Sequence, residues 1–268
     1  MAQTQKIMIQ TTGLTKKYGT KTAVDHLDLS ILSGEIFGLL GPNGAGKTTT
    51  TLMLTGLTEP TEGTAFIDGR DCIREPMEVK KIVGYMPDNV GFYPDMTGRE
   101  NLRFTAALNG LEKQVAEKSI DRLLERTGLT EAGNQKVGTY SRGMRQRLGV
   151  ADVLIKDPSV IIMDEPTLGI DPEGMRELIS LIRDLSKTEG RTILISSHQL
   201  YQVQQICDRV GLFVGGKLTA CGTIEELAEQ TREDNQYLTE IRVTSGDDHL
   251  THLLKDASGV LSVGREGN

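Results

Sequence analysis

An α/β fold organised on a parallel sheet is the class this sequence predicts, on three observations. A glycine-rich loop, Gly41-Pro42-Asn43-Gly44-Ala45-Gly46-Lys47-Thr48, sits between a short apolar run, Ile36 to Leu40, and a helix-forming run, Thr49 to Thr55. Two further apolar runs, Val160 to Met163 and Thr192 to Ser196, have the length of buried parallel strands and lead into Asp164-Glu165 and Ser197-His198. Helix-patterned segments separate the first of these strands from the others, as an insertion into the sheet would. The 268 residues, 37% hydrophobic, suffice for the core of one large domain or two joined lobes.

Taken in order, Ile7 to Thr12 alternates weakly, like an edge strand. His26 to Ile31 alternates clearly, with Leu27, Leu29 and Ile31 on one face, and the two runs predict a small antiparallel β-layer. Tyr18 lies between them in the polar stretch Leu14 to Gly19, where two readings stand: stacking on a nucleobase, or ordinary packing. The glycine loop fits the phosphate-binding pattern of Gly, four residues, Gly, Lys, Ser or Thr, in the strand–loop–helix context that pattern requires, and so predicts an ATP or GTP site. Gly41, Gly44 and Gly46 allow successive N–H groups to turn inward, so that Gly41, Asn43, Gly44, Ala45 and Gly46 form a triphosphate cradle at a positive helix end. Lys47 would reach the β- and γ-phosphates, the Thr48 hydroxyl would ligate Mg²⁺, and Thr49 would add a phosphate contact.

Thr64 to Ile67 and Ile82 to Met86 read as strands. Thr97 then caps a helix, with Glu100 placed to close a capping box and Leu102, Thr105, Ala106 and Leu108 on a partly apolar face. A second helix runs through Val115, Ile120, Leu123 and Leu124 and ends near Gly128. Ser141 precedes a helix from Arg145 to Ile155, so its hydroxyl and the free N–H groups make either a second anion site or a simple N-cap. At the end of the strand Val160 to Met163, Asp164 and Glu165 face opposite sides and so take different roles. Pro172 opens a helix through Leu178, Leu181, Ile182 and Leu185. His198 stands at a strand's C-terminal end, where α/β sheets place ligands. Thr223 caps a further helix with Glu226 closing its box; Tyr237 to Thr244, Leu250 to Leu254 and Val260 to Val263 then predict strand, helix and strand. His249 and His252 share a helix face, which fits a solvated helix better than a metal site.

The formal charge of −7, with no basic run, opposes nucleic-acid binding. Three scattered cysteines, Cys72, Cys207 and Cys221, indicate neither a disulfide framework nor a zinc site, and fit a reducing cytoplasm. No apolar stretch reaches the ~18 residues of a membrane span and the first residues lack a signal peptide's apolar core, so a membrane role would go through a partner.

The ordered series of motifs resembles the nucleotide-binding subunit of an ABC transporter. Tyr18 stands at the A-loop, Gly41 to Thr48 at Walker A, and Tyr85-Met86-Pro87-Asp88 near the Q-loop. Tyr140 to Arg147 stands at the signature, Ile161 to Pro166 at Walker B, Gly169-Ile170-Asp171 at the D-loop and His198 at the H-loop. The resemblance spans residues 6 to 222. It implies a RecA-like P-loop NTPase core of residues 1–87 and 158–222, an antiparallel β-layer, and an inserted helical lobe of residues 88–157, together one ATPase domain of residues 1–222. Residues 223–268 would be a small C-terminal α+β extension, read as a truncated or swapped regulatory piece.

The resemblance also implies ATP and Mg²⁺ as cofactors. Asp164 would hold Mg²⁺ through water, Glu165 would polarise the attacking water, and His198 would contact the γ-phosphate, with Lys47 completing the catalytic set. Ser141 and Gly143 would reach across a head-to-tail homodimer, or a pair with a related subunit, to ATP on the other P-loop. Two departures stand out. Asp88 occupies the place of the family's glutamine, either as a ligand of Mg²⁺ and water or as a solvated turn residue; the same change marks the branch serving type 2 exporters of drugs, ions and polysaccharides. Arg142 and Met144 alter the usual serine-glycine-glycine-glutamine. The stretch Asp88 to Arg103 resembles the surface that receives a permease's coupling helix, with Phe92 and Tyr93 as interface anchors or as core. The resemblance thus implies an ATP-hydrolysing subunit, cytoplasmic and peripheral on the inner face of the membrane, driving a polytopic permease, an exporter by its branch. A soluble ABC-type ATPase of translation or DNA repair, and a nucleotide-sensing module without hydrolysis, are the rival readings.

Overall fold

Five apolar residues in a row leave a strand no polar face, so Ile36–Leu40, buried throughout, lies inside a sheet covered on both sides. The computed structural model describes residues 6–230, together with Leu254 and Val263. The chain divides into two compact units, Met1–Glu229 and Gln230–Asn268. The strand, helix and strand predicted between Tyr237 and Val263, and the His249–His252 pair, fall outside the described residues, Leu254 and Val263 aside.

Along the chain come β1 (Ile7–Tyr18), β2 (Lys21–Leu32), β3 (Ile36–Leu40), α1 (Lys47–Leu54), β4 (Glu62–Ile67) and β5 (Arg70–Asp71). There follow α2 (Pro76–Ile82), β6 (Val83–Met86), α3 (Gly98–Leu108), α4 (Lys113–Arg126) and α5 (Arg142–Leu154). The rest are β7 (Val160–Asp164), α6 (Pro172–Lys187), β8 (Thr192–Ser197), α7 (Leu200–Ile206), β9 (Arg209–Val214), β10 (Lys217–Gly222) and α8 (Ile224–Gln230). Two sheets result: an antiparallel layer in the order β2-β1-β4-β5, and a six-stranded sheet in the order β10-β9-β3-β8-β7-β6. In the second, β9, β3, β8, β7 and β6 pair in parallel, and β10 adds an antiparallel edge.

Strand alternation divides the core. Ile161, Met163, Ile193, Ile195 and Ile36 join the apolar residues of α3 to α6, whereas Val160, Ile162, Leu194, Phe37 and Leu39 join those of α1 and the antiparallel layer. The insertion between β6 and β7 carries α3, α4 and α5 as the helical lobe. Thr97 caps α3 through the Glu100 N–H while Glu100 accepts from the Thr97 N–H, the predicted box. The box at Thr223 and Glu226 forms likewise.

Several bounds differ from expectation, for local reasons. The layer's strands run longer: β1 absorbs the polar stretch through irregularities between Thr11 and Leu14, so Tyr18 closes a strand rather than lying in a loop. Helix α5 starts at Arg142 because Ser141 is its N-cap, accepting from the Met144 N–H at 3.2 Å. Helices α2 and α7 and strand β9 carried no expectation; α2 and α7 are short, and a seven-residue segment shows little helical period.

Candidate functional site

Parallel register brings the site together. Leu40 pairs with Ser197 and Asp164 with Ser196, so the residues following β3, β7 and β8 emerge at one sheet end: the glycine loop, Glu165 and His198. The loop's glycines serve two needs. A Cβ at Gly41 would lie 2.1 Å from the Phe213 carbonyl oxygen, so this residue is required by close approach. Gly46 has φ 108° as the N-cap of α1, and a Cβ there would lie 2.3 Å from the Ala23 oxygen, so both conformation and space exclude a side chain. The expectation that Gly41 supplies backbone freedom is thus replaced by a steric reason, since only Gly44 and Gly46 in this loop have positive φ.

Lys47 folds back across this loop. Its Nζ donates to the Gly41 carbonyl at 2.7 Å and the Pro42 carbonyl at 3.2 Å, and lies 3.8 Å from Glu165 Oε1. Burial pushes its pKa down, against the pull of Glu165 and Asp164. The same Glu165 Oε1 accepts from His198 Nδ1 at 2.9 Å. Glu165 holds φ at 46°, a left-handed conformation rare for a side-chain residue, while its N–H donates to the Ser196 carbonyl.

Asp164 is 2% exposed, and both of its oxygens accept hydrogen bonds. Its Oδ2 accepts from Tyr85 Oη at 2.8 Å and from Thr51 Oγ1 at 3.1 Å, and its Oδ1 accepts from Ser196 Oγ. Burial, with Asp164 as a negative neighbour, pushes the Tyr85 hydroxyl well above the ordinary phenol range, so it stays a donor.

A cleft of about 300 Å³ opens over these groups, lined by Tyr18, Asn43, Gly44, Gly46, Lys47, Thr48, Thr49, Asp88, Asp164 and Glu165, with Lys21 and Ala23 completing the wall. Tyr18 stands at its rim, 51% exposed, with Lys16 Nζ 5.0 Å from its ring centre. Gly41, Ala45 and His198 do not line the cleft: Gly41 and Ala45 shape the loop beneath it, and His198 adjoins it through Glu165. Ser141 and Gly143 also do not line it; they stand at the start of α5, where Arg142 lies over the backbone of Gly169. Of the two aromatics in the lobe junction, Phe92 packs on the core, while Tyr93 is 51% exposed and meets the Phe104 ring edge-on at 5.2 Å.

Reasoning from sequence missed Lys21, Tyr85, Thr51 and Ser196. The sequence places Tyr85 in the strand Ile82 to Met86 and in the Q-loop segment, and neither position marks it as a partner of Asp164. The run of threonines after Lys47 marks a helix start and says nothing of an acid 113 residues away.

The cleft suits Mg²⁺. The Thr48 hydroxyl and the Asp88 and Asp164 carboxylates supply hard oxygen ligands, with no thiolate among the lining residues. Among the described residues no group of three His, Cys, Asp or Glu forms a cage by itself. Magnesium habitually takes one or two carboxylates plus substrate phosphates, so this partial set is the kind a nucleotide completes.

Comparison with known proteins agrees. The family described as ABC transporter matches residues 24–168. The bacitracin transport ATP-binding protein BcrA of Bacillus licheniformis is 42% identical over 84% of this chain and 73% of its own length. The ABC transporter ATP-binding protein NatA of Bacillus subtilis (strain 168) is 38% identical over 89% of this chain and 99% of its own. Among solved structures, an ATP-binding subunit of an ABC transporter superposes with a TM-score of 0.75 at 28% identity, covering 83% of this chain and 92% of that one. The glycine loop, the two acids at the end of β7 and the histidine after β8, on a fold and a sequence shared with these proteins, place this chain in the ABC transporter family, to which it belongs as an ATP-binding, ATP-hydrolysing subunit.

Proposed function

We propose that this chain binds Mg²⁺·ATP in the cleft, closes head to tail with a second copy or a related subunit, and uses hydrolysis to drive a separate polytopic permease from the inner face of the membrane. One observation supports this most: a single carboxylate oxygen, Glu165 Oε1, faces both Lys47 and His198 at the cleft's edge. That is the arrangement needed by a base poised beside a terminal phosphate.

In this reading Tyr18 stacks on the adenine, and the N–H groups of Asn43 to Thr49 cradle the phosphates. Lys47 exchanges the Gly41 and Pro42 carbonyls for the β- and γ-phosphates. Thr48, Asp164 and Asp88 would hold Mg²⁺, which on binding neutralises charge on the phosphate oxygens. Glu165 orients and polarises water, and His198 steadies both Glu165 and the γ-phosphate. Ser141 and Gly143, outside their own chain's cleft, complete the partner's. Catalysis is then positioning and charge neutralisation, with the assembled interface as the device that switches it on.

The ATPase domain is taken as residues 1–222, the helical lobe as residues 88–157, and the exposed Tyr93 as a contact for the permease. Among the described residues no helix is long and apolar enough to cross a membrane, and translocation is assigned to the separate permease. Export is the direction proposed, from Asp88 in place of glutamine and from relatives named for bacitracin transport and linearmycin resistance. Purification of the full chain from its native membranes in detergent, with mass spectrometry of what survives a salt wash, tests this. A polytopic membrane protein is the expected companion. Recovery with ribosomes, DNA or soluble proteins alone would overturn the transport role and leave the ATP site standing.

A further inference from the structure

The Asp164 carboxylate is enclosed by hydroxyls, and their proton count is unequal to their contacts. Thr51 Oγ1 has one proton and two acceptors, the Thr48 carbonyl at 2.9 Å and Asp164 Oδ2 at 3.1 Å. Ser196 Oγ donates to the other oxygen, Oδ1. Tyr85 Oη, at 2.8 Å, is therefore the donor committed to Oδ2. Its ring sits on a rigid element. Tyr85 pairs with Ile162 and Met86 with Met163 in the sheet, and a Cβ at Gly149 of α5 would lie 3.0 Å from Met86 Sδ and from Val90 Cγ2. A tyrosine so held fixes the rotation of the carboxylate it donates to.

We infer that Tyr85 is a positioning residue for the metal step: its hydroxyl, on the strand beside Asp164, sets the orientation in which that carboxylate meets Mg²⁺ on the bound nucleotide. The inference rests on the proposed role of Asp164. Tyr85 does not line the cleft; it acts through the carboxylate, as hydrogen-bonded partners of metal ligands commonly do. The other acid of the pair differs in this respect, since Glu165 lines the cleft and its partners there are Lys47 and His198.

The test is binding of a fluorescent ATP analogue to the full-length chain, titrated with MgCl₂ and, separately, in EDTA. For Tyr85→Phe, the Mg²⁺ concentration giving half of the metal-dependent binding should rise about tenfold, with affinity in EDTA unchanged. Asp164→Asn should abolish the metal-dependent part. If Asp164→Asn does so while Tyr85→Phe titrates like wild type, Tyr85 has no positioning role and the inference fails alone. If Asp164→Asn leaves the metal response intact, the reading of Asp164 falls and takes the inference with it. If Tyr85→Phe loses affinity in EDTA as well, the tyrosine holds the fold rather than the metal acid, and the inference is again overturned.

Discussion

Glu165 combines an uncommon backbone with a carboxylate that faces a lysine on one side and a histidine on the other. A left-handed residue other than glycine costs roughly 1–2 kcal/mol, and the surrounding register of β7 against β8 sustains it here. Lys47 is the complementary case, a buried cation with two backbone acceptors, which in the proposed function give way to phosphate oxygens. Lys47→Ala should lower ATP affinity about tenfold to a hundredfold, the worth of a charge-assisted hydrogen bond, as read by titration calorimetry; unchanged affinity would remove the lysine from the phosphates. At this scale the sequence was informative where a motif fixes a residue by local spacing, as for Lys47, Thr48 and Glu165. It was silent where tertiary pairing does so: Tyr85 and Asp164 lie 79 positions apart, and neither residue alone says that the other is its partner.

Helix α5 carries both the Ser141 cap and an unresolved electrostatic cost. Asp152 Oδ1 is buried without a hydrogen-bond partner, and burial pushes the Asp152 carboxyl above the ordinary carboxylate range, against the Thr105 hydroxyl and the Lys156 charge. With the native pKa raised, the folded state binds the proton more tightly than the unfolded one. Asp152 thus costs stability above its native pKa, and the cost disappears as pH falls through the ordinary carboxylate range of the unfolded chain. Asp152→Asn should therefore raise the urea midpoint at neutral pH, and the gain should vanish near the unfolded carboxylate range; an equal gain at both would assign it to packing. Elements were legible in proportion to their pattern. The fully buried β3, β7 and β8 stood out as apolar runs, and the box at Thr97 and Glu100 as a capping signature. The polar second half of β1 did not, because its strand character comes from pairing with β2 rather than from its own alternation.

For the molecule as a whole, one end of the parallel sheet gathers the residues that would hold ATP, while Ser141 and Gly143 stand apart on the lobe, absent from the walls of that cleft. In the proposed function a second copy explains this separation: each subunit would supply what the other's cleft lacks, and hydrolysis would separate them. Removing the Glu165 carboxylate, to which polarisation of water is assigned in the proposed function, while keeping its shape should trap the closed state. The direct measurement is the mass of the Glu165→Gln chain by light scattering, with Mg²⁺·ATP and with Mg²⁺·ADP. The expected result is a dimer with ATP and a monomer with ADP, with multiple turnover lost by a factor on the order of 10² or more. A chain saturated with ATP that remains a monomer, or one that keeps wild-type turnover, would contradict it.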